Sequence, residues 1–197
     1  MIKKLLLASL SFLFVACTAR QTPAPTPSVN QIDIEEQAVY AAVLKQMYTA
    51  STYVIMDTTT TGPGGIDNTN QTIDYVLQNL HDVAQATVTS YRNRNDSAYP
   101  ILADMDLGAS YILLSQDQRN QIFGQNQSGW EVFYNNYPNA PGITALSRVG
   151  FDATFDQALV YFGTQSNWLA GAGYYILLKK GDGGVWTIDQ KVMSWIS

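Results

Sequence analysis

The sequence predicts an α+β domain in which N-terminal helices pack on a curved antiparallel sheet, formed mainly by a C-terminal four-stranded meander. Three observations carry this expectation. Apolar residues recur at helical spacing through residues 40–48. β-Branched and aromatic runs dominate after residue 142. The run Gly181-Asp182-Gly183-Gly184 separates the last two of those runs and is a hairpin signal.

The first helix is expected to start at Asp33, an N-cap residue type with Glu36 three places on, the spacing of a capping box. Tyr40, Val43, Leu44, Met47 and Tyr48 then mark one buried face. Residues 52–58 are β-branched and aromatic and read as a strand, and 59–70 as a loop rich in Thr, Gly and Asn. Two helical pieces follow over 72–80 and 82–94, with Ile73, Val76, Leu77 and Leu80 on one face. A short apolar strand covers 110–114. Helices are expected over 115–123, with Asp117 in the first turn, and over 129–137, ending before Pro138.

Four strand candidates complete the chain: 143–151, 157–163, 173–180 and 184–196. In the second, Ala158, Val160 and Phe162 alternate with Leu159 and Tyr161, and both sets are apolar. That suits a strand covered on both faces. The last candidate carries Trp186, Ile188, Val192, Trp195 and Ile196, and a strand so long is usually bent or bulged. A curved sheet wrapped over N-terminal helices resembles in shape the nuclear-transport-factor-2-like and cystatin-like domains. The likeness concerns shape and carries no function.

Composition narrows the function classes. The chain has 197 residues, 46% hydrophobic and 14% charged, enough to bury one core. Net charge is −5, and the close basic pairs are few. A polyanion such as nucleic acid is therefore not an expected partner. One cysteine makes no internal disulfide, and one histidine with no spare cysteine excludes the usual zinc ligand sets. No cofactor and no metal are expected.

Residues 1–16 have the three parts of an export signal: Lys3 and Lys4, an apolar stretch over 5–15, and the small residue Ala16. The apolar stretch is short for a membrane span. Phe14-Val15-Ala16-Cys17 resembles a lipobox, the site of bacterial lipoprotein signal peptidase, with Phe14 in place of the usual Leu. The resemblance implies that Cys17 carries a diacylglyceryl group on its sulfur and, in many hosts, an acyl chain on its amine. Two or more acyl chains anchor a protein stably, where one holds it only marginally. Residues 17–31 then read as the lipidated cysteine and a Pro/Thr-rich tether, and 32–197 as one α+β domain. Residues 18–30, extended at about 3 Å each, reach roughly 40 Å from the anchor. Thr18 in place of Asp after the cysteine implies, in a Gram-negative envelope, the outer rather than the inner membrane.

The C-terminal half also resembles a family of uncharacterised bacterial secreted proteins and lipoproteins. The residues that carry it are Gly129-Trp130, Phe133-Tyr134, the SRVGF run ending at Phe151, the ALVY run ending at Tyr161, the GAGYYILL run from Gly171, Trp186 and Trp195-Ile196-Ser197. The resemblance covers 110–197 and implies a shared domain, with no activity or site residue attached.

Candidate ligand-binding residues are Ser147, Arg148, Trp168, Tyr174 and Tyr175. Arg148 lies in an otherwise apolar run and must find a partner. It is either an anion or carboxylate contact on the sheet, or a structural arginine that pairs with an Asp or faces outward, and the second reading is preferred. Trp168, Tyr174 and Tyr175 sit in a Gly-rich segment that lines a pocket, or packs its rings in the core around a hairpin connection. Residues 57–65 read as a binding loop or a flexible one. Asp104 and Asp106, with Asp96 nearby, suit a hard cation only weakly, lacking the glycine and distal glutamate of a calcium loop.

No catalytic residue is assigned, since neither a G-x-S-x-G elbow nor an S-x-x-K motif occurs. The expectation is an envelope-anchored, non-enzymatic binding or assembly module. Its partners are the membrane, through the lipid on Cys17, and an envelope protein or small ligand. The alternative is an extracytoplasmic hydrolase built on His81 or on paired carboxylates such as Asp57 and Asp104. Convergence of His81 and Arg148 in one concave pocket would favour the enzyme.

Overall fold

The computed structural model describes residues 29–61, 70–124 and 128–197. The export signal, Cys17 and most of the tether lie outside the described residues, as does most of the loop after residue 61. In chain order the elements are α1 (Val29–Met47), β1 (Thr52–Met56), α2 (Asn70–Asn79), α3 (Gln85–Arg94), β2 (Ser110–Leu114), α4 (Gln116–Phe123), α5 (Gly129–Asn136), β3 (Ile143–Leu146), β4 (Gly150–Phe151), β5 (Gln157–Asn167), β6 (Ala170–Lys180) and β7 (Trp186–Ile196).

The fold class is α+β. The seven strands form one sheet in the order β2-β1-β3-β5-β6-β7, with β4 also pairing β5. The C-terminal strands make the meander, antiparallel throughout. β1 and β2 extend it on the β3 side, and both β1 pairings are parallel, so the sheet is mixed.

α1 begins four residues before Asp33, so Asp33 is not its N-cap and the Asp33/Glu36 capping box does not form. A full capping box does form at α4. Ser115 Oγ accepts from the Gln118 N–H, and Gln118 Oε1 accepts from the Ser115 N–H. α3 starts at Gln85, later than the sequence suggests, because Asp82 takes a left-handed φ of 57° at the α2–α3 junction. Gln157 on β5 closes that junction. Its Oε1 accepts from the Ala84 N–H and Thr87 Oγ1, and its Nε2 donates to the Asp82 carbonyl.

Strand alternation sorts the core. Ala158, Val160 and Phe162 of β5, with Ile176 and Leu178 of β6, pack against Val39, Tyr40, Val43 and Leu44 of α1. The opposite parity, Leu159, Tyr161, Tyr175 and Leu177, packs against Val76 of α2, Leu80 just beyond it, and Val88 and Tyr91 of α3. On this second face, at the β2-β1-β3 end, Val54, Leu114 and Ile143 pack against Ile122 of α4 and Trp130 and Phe133 of α5. The helices therefore cover one face with α1 and the other in two separate patches.

The predicted strand 143–151 is two strands. From Leu146 to Gly150 the chain takes four steps while its partner takes three, from Phe162 to Leu159. The extra residue is a β-bulge, which turns Val149 and Phe151 to the α1 face. Gly150 faces the other way. A Cβ there would lie 2.4 Å from the Tyr91 backbone N, so only glycine lets α3 approach β4. β7 bulges twice against β6, beside Asp189 and beside Ser194.

Candidate functional site

The two helical patches on the second face leave a gap, and the gap is a cleft of about 650 Å³. That volume lies in the range of small-molecule sites. Its floor is a row of small residues running across three strands. Ala145 pairs with Gly163, Gly163 with Gly173, and Gly173 with Trp195. The glycines of this row have a steric purpose. A Cβ on Gly173 would lie 2.0 Å from Trp195 Nε1, and one on Gly163 would lie 2.7 Å from Tyr161 Oη. The two rings therefore lie down on bare backbone, and Trp195 Nε1 donates to Tyr161 Oη at 2.7 Å.

The bulge beside Ser194 directs Trp195 into the cleft. Met193 pairs with Tyr174 and Trp195 with Gly173, so Ser194 is skipped. In a regular register Ser194 would pair with Gly173 and Trp195 with Ala172, and Trp195 would turn to the α1 face.

The opposite wall comes from β1, α4 and the β5–β6 hairpin. The 57–60 segment follows β1 and is pinned on both sides. The Asp57 N–H donates to the Leu114 carbonyl, the Ile101 N–H to the Asp57 carbonyl, and the Thr60 N–H to the Leu146 carbonyl. Thr59 exchanges two bonds with Tyr99, one through its backbone N–H and one through Oγ1. Asp57, Thr58, Thr59 and Thr60 thus form a fixed polar rim of the cleft. Residues 62–65 of the predicted 57–65 loop lie outside the described residues. Gln116 and Arg119, three apart on α4, share the same helix face and also line the cleft.

The sequence-predicted residues separate in space. Trp168 lies at the cleft, 47% exposed at the β5–β6 hairpin tip, with its ring edge-on to Phe123 at 5.8 Å. Tyr134 Oη donates to the Ser166 carbonyl and holds that hairpin against α5. Tyr174 and Tyr175 point to opposite faces. Tyr174 packs at the edge of the α1 core with Lys191 over its ring, and Tyr175 is 1% exposed between Tyr91 and Tyr161. Burial pushes the Tyr175 hydroxyl up to about 12.

Ser147 is buried, and its hydroxyl serves the bulge. Oγ accepts from the Tyr161 N–H at 2.8 Å and donates to the Arg148 carbonyl. Arg148 is held on the α1 side. Its Nε and Nη2 donate to the two carboxylate oxygens of Glu36 at 3.2 and 2.8 Å, Asp33 lies at 4.0 Å, and Tyr99 presents its ring face at 4.0 Å. Glu36 also forms an ion pair with Arg94 Nη2 at 3.0 Å and accepts from the Val149 N–H. Desolvation works against the Arg148 charge, but its hydrogen bonds to Glu36 and the Glu36 charge keep its pKa raised. Asn95 grips the Arg148 backbone, accepting from its N–H and donating to its carbonyl.

His81 is exposed and engages through its backbone, which exchanges two hydrogen bonds with the Gln190 side chain. It lines neither the large cleft nor the second recess of about 280 Å³ beside α1. That recess holds Asp104, Asp106 and Asp33, whereas Asp57 lies in the large cleft. Among the described residues, no group of three or more His, Cys, Asp or Glu side chains is placed to hold a metal ion.

Sequence reasoning picked out Trp168 and the glycine-rich segment. It missed Tyr161, Trp195, Arg119 and the Ala145-Gly163-Gly173 row. The available signal was one alanine, two glycines and one tryptophan that fall in line once the strands are paired. Comparison with protein-family models, with curated proteins and with solved structures finds no match to this chain.

Proposed function

We propose that this chain is an envelope lipoprotein, anchored through acyl groups on Cys17, whose domain binds a small ligand in the sheet cleft without transforming it. The observation that carries the reading is the bare-backbone floor with Tyr161 and Trp195 laid on it. A concave site with aromatic walls and a few fixed polar groups is the usual form of a small-molecule site. Trp168 and Trp195 remain partly exposed at its edge, and apolar surface left open in this way marks a place of contact. The address rests on the export signal, the lipobox-like run and the tether. In a Gram-negative host Thr18 favours the outer membrane.

The hydrolase alternative asks for convergence of His81 with a carboxylate or a serine. Asp57, Asp104 and His81 occupy three different places, and Arg148 is committed to Glu36. The geometry therefore favours binding over hydrolysis.

Ala145→Phe tests the cleft, because the new ring projects into it from the floor. Native mass spectrometry of the detergent-extracted protein should report a co-purifying small molecule on the wild type and its loss from the variant. A wild type with no bound mass, or a variant that retains the same mass, overturns the cleft assignment.

A further inference from the structure

The cleft has a side chamber of about 50 Å³, enclosed by Arg119, Phe123, Trp130, Ile143, Gln165 and Trp168. Arg119, Ile143, Gln165 and Trp168 also line the main cleft, so the two spaces meet at that wall.

Two donors at the chamber want an acceptor. Trp130 is 7% exposed, and its Nε1 is buried with no hydrogen-bond partner. An indole N–H can only donate, and leaving a buried donor unmade costs about 1–3 kcal/mol. The second donor is Arg119. Arg92, Arg94 and Arg148 each pair with a carboxylate. Among the described arginines Arg119 alone has no carboxylate partner, and its guanidinium lies over the Phe123 ring at 5.7 Å. Asp57 lines the main cleft but not the chamber, so no carboxylate of the described residues competes for these donors there.

We propose that the chamber is the head-group subsite of the cleft and takes the carboxylate of a small organic acid with a flat, ring-bearing body. The inference rests on the reading of the cleft as a ligand site. A carboxylate only accepts. It matches the guanidinium fork with two oxygens and keeps a lone pair for an indole N–H. The chamber has room for a head of that size, since one water occupies about 30 Å³ in the liquid. A ring is too large for it and lies instead in the main cleft, over Ala145 and between Trp168 and Trp195.

Phenylacetate and its neutral amide, phenylacetamide, differ only at the head group. Both are titrated into the full-length, detergent-solubilised protein, with tryptophan emission and the indole N–H NMR signals as readouts. The acid should bind at least about tenfold more tightly than the amide, the scale of a charge-assisted hydrogen bond. It should also shift the Trp130 indole signal, identified by its loss in Trp130→Phe. Arg119→Met should erase the difference between acid and amide. Trp130→Phe, which keeps a ring but removes the N–H, should weaken the acid by about three- to tenfold. Equal binding of acid and amide by the wild type, or a preference for the acid that survives Arg119→Met, overturns the carboxylate subsite and leaves the cleft reading standing. Binding of neither probe overturns the subsite, and the cleft reading falls with it only if the Ala145→Phe comparison also fails.

Discussion

Glu36 shows how one residue type at one spacing serves two physical ends. Three places after Asp33 it matches a capping box, yet α1 starts at Val29 and the carboxylate goes to Arg148, Arg94 and the Val149 N–H. The requirement that Arg148 find a partner was legible, because a guanidinium in an apolar run cannot stay unpaired. The partner was not, since it lies 112 residues away on another element. Breaking a buried pair strands the charges that remain. Glu36→Gln should therefore lower stability by about 3 kcal/mol, the lower end of the range for such pairs, because both arginines keep some solvent contact. Urea unfolding followed by circular dichroism checks this. Adding Arg148→Met should cost less than the two single losses together, since the residues share one network. A loss below about 1 kcal/mol for Glu36→Gln would falsify the view that this carboxylate ties α1 to the sheet.

Elements were largely legible and their faces were not. Helix and strand positions follow from period and capping chemistry, and the long last strand was expected to bulge. Where it bulges depends on its partner strand. The skipped Ser194 sends Trp195 to the cleft face, and the extra residue between Leu146 and Gly150 sends Val149 and Phe151 to the α1 face. A one-residue slip inverts every side chain beyond it. Gly173 depends on the same pairing. Gly173→Ala places a methyl against Trp195 and Tyr161, and overpacking of this kind costs about 1–3 kcal/mol. Thermal melting should show that loss, and tryptophan emission should shift to the red as Trp195 lifts off the floor. Trp195→Ala in the same chain should recover most of the stability. Without such recovery the contact is not the cause.

At the scale of the whole molecule, the proposed anchor and the proposed ligand cleft are tested separately. Among the described residues no helix is long and apolar enough to cross a membrane. The proposed attachment is through the lipid on Cys17. Cys17→Ser, expressed in the native host, should move the protein from the membrane pellet to the soluble fraction, with the domain's circular dichroism spectrum unchanged. Sedimentation with membranes equal to wild type would remove the lipid anchor from the account. By itself the sequence determined the α+β class, the C-terminal meander and the expectation of an anchored address. These depend on composition, on periodicity within one element, or on short contiguous motifs. Only the tertiary structure decided which face each aromatic ring takes, which carboxylate meets Arg148, and where two helical patches leave the second face open. These depend on register between strands far apart in the chain, and register is set by the packing of the whole sheet rather than by any local run of residues.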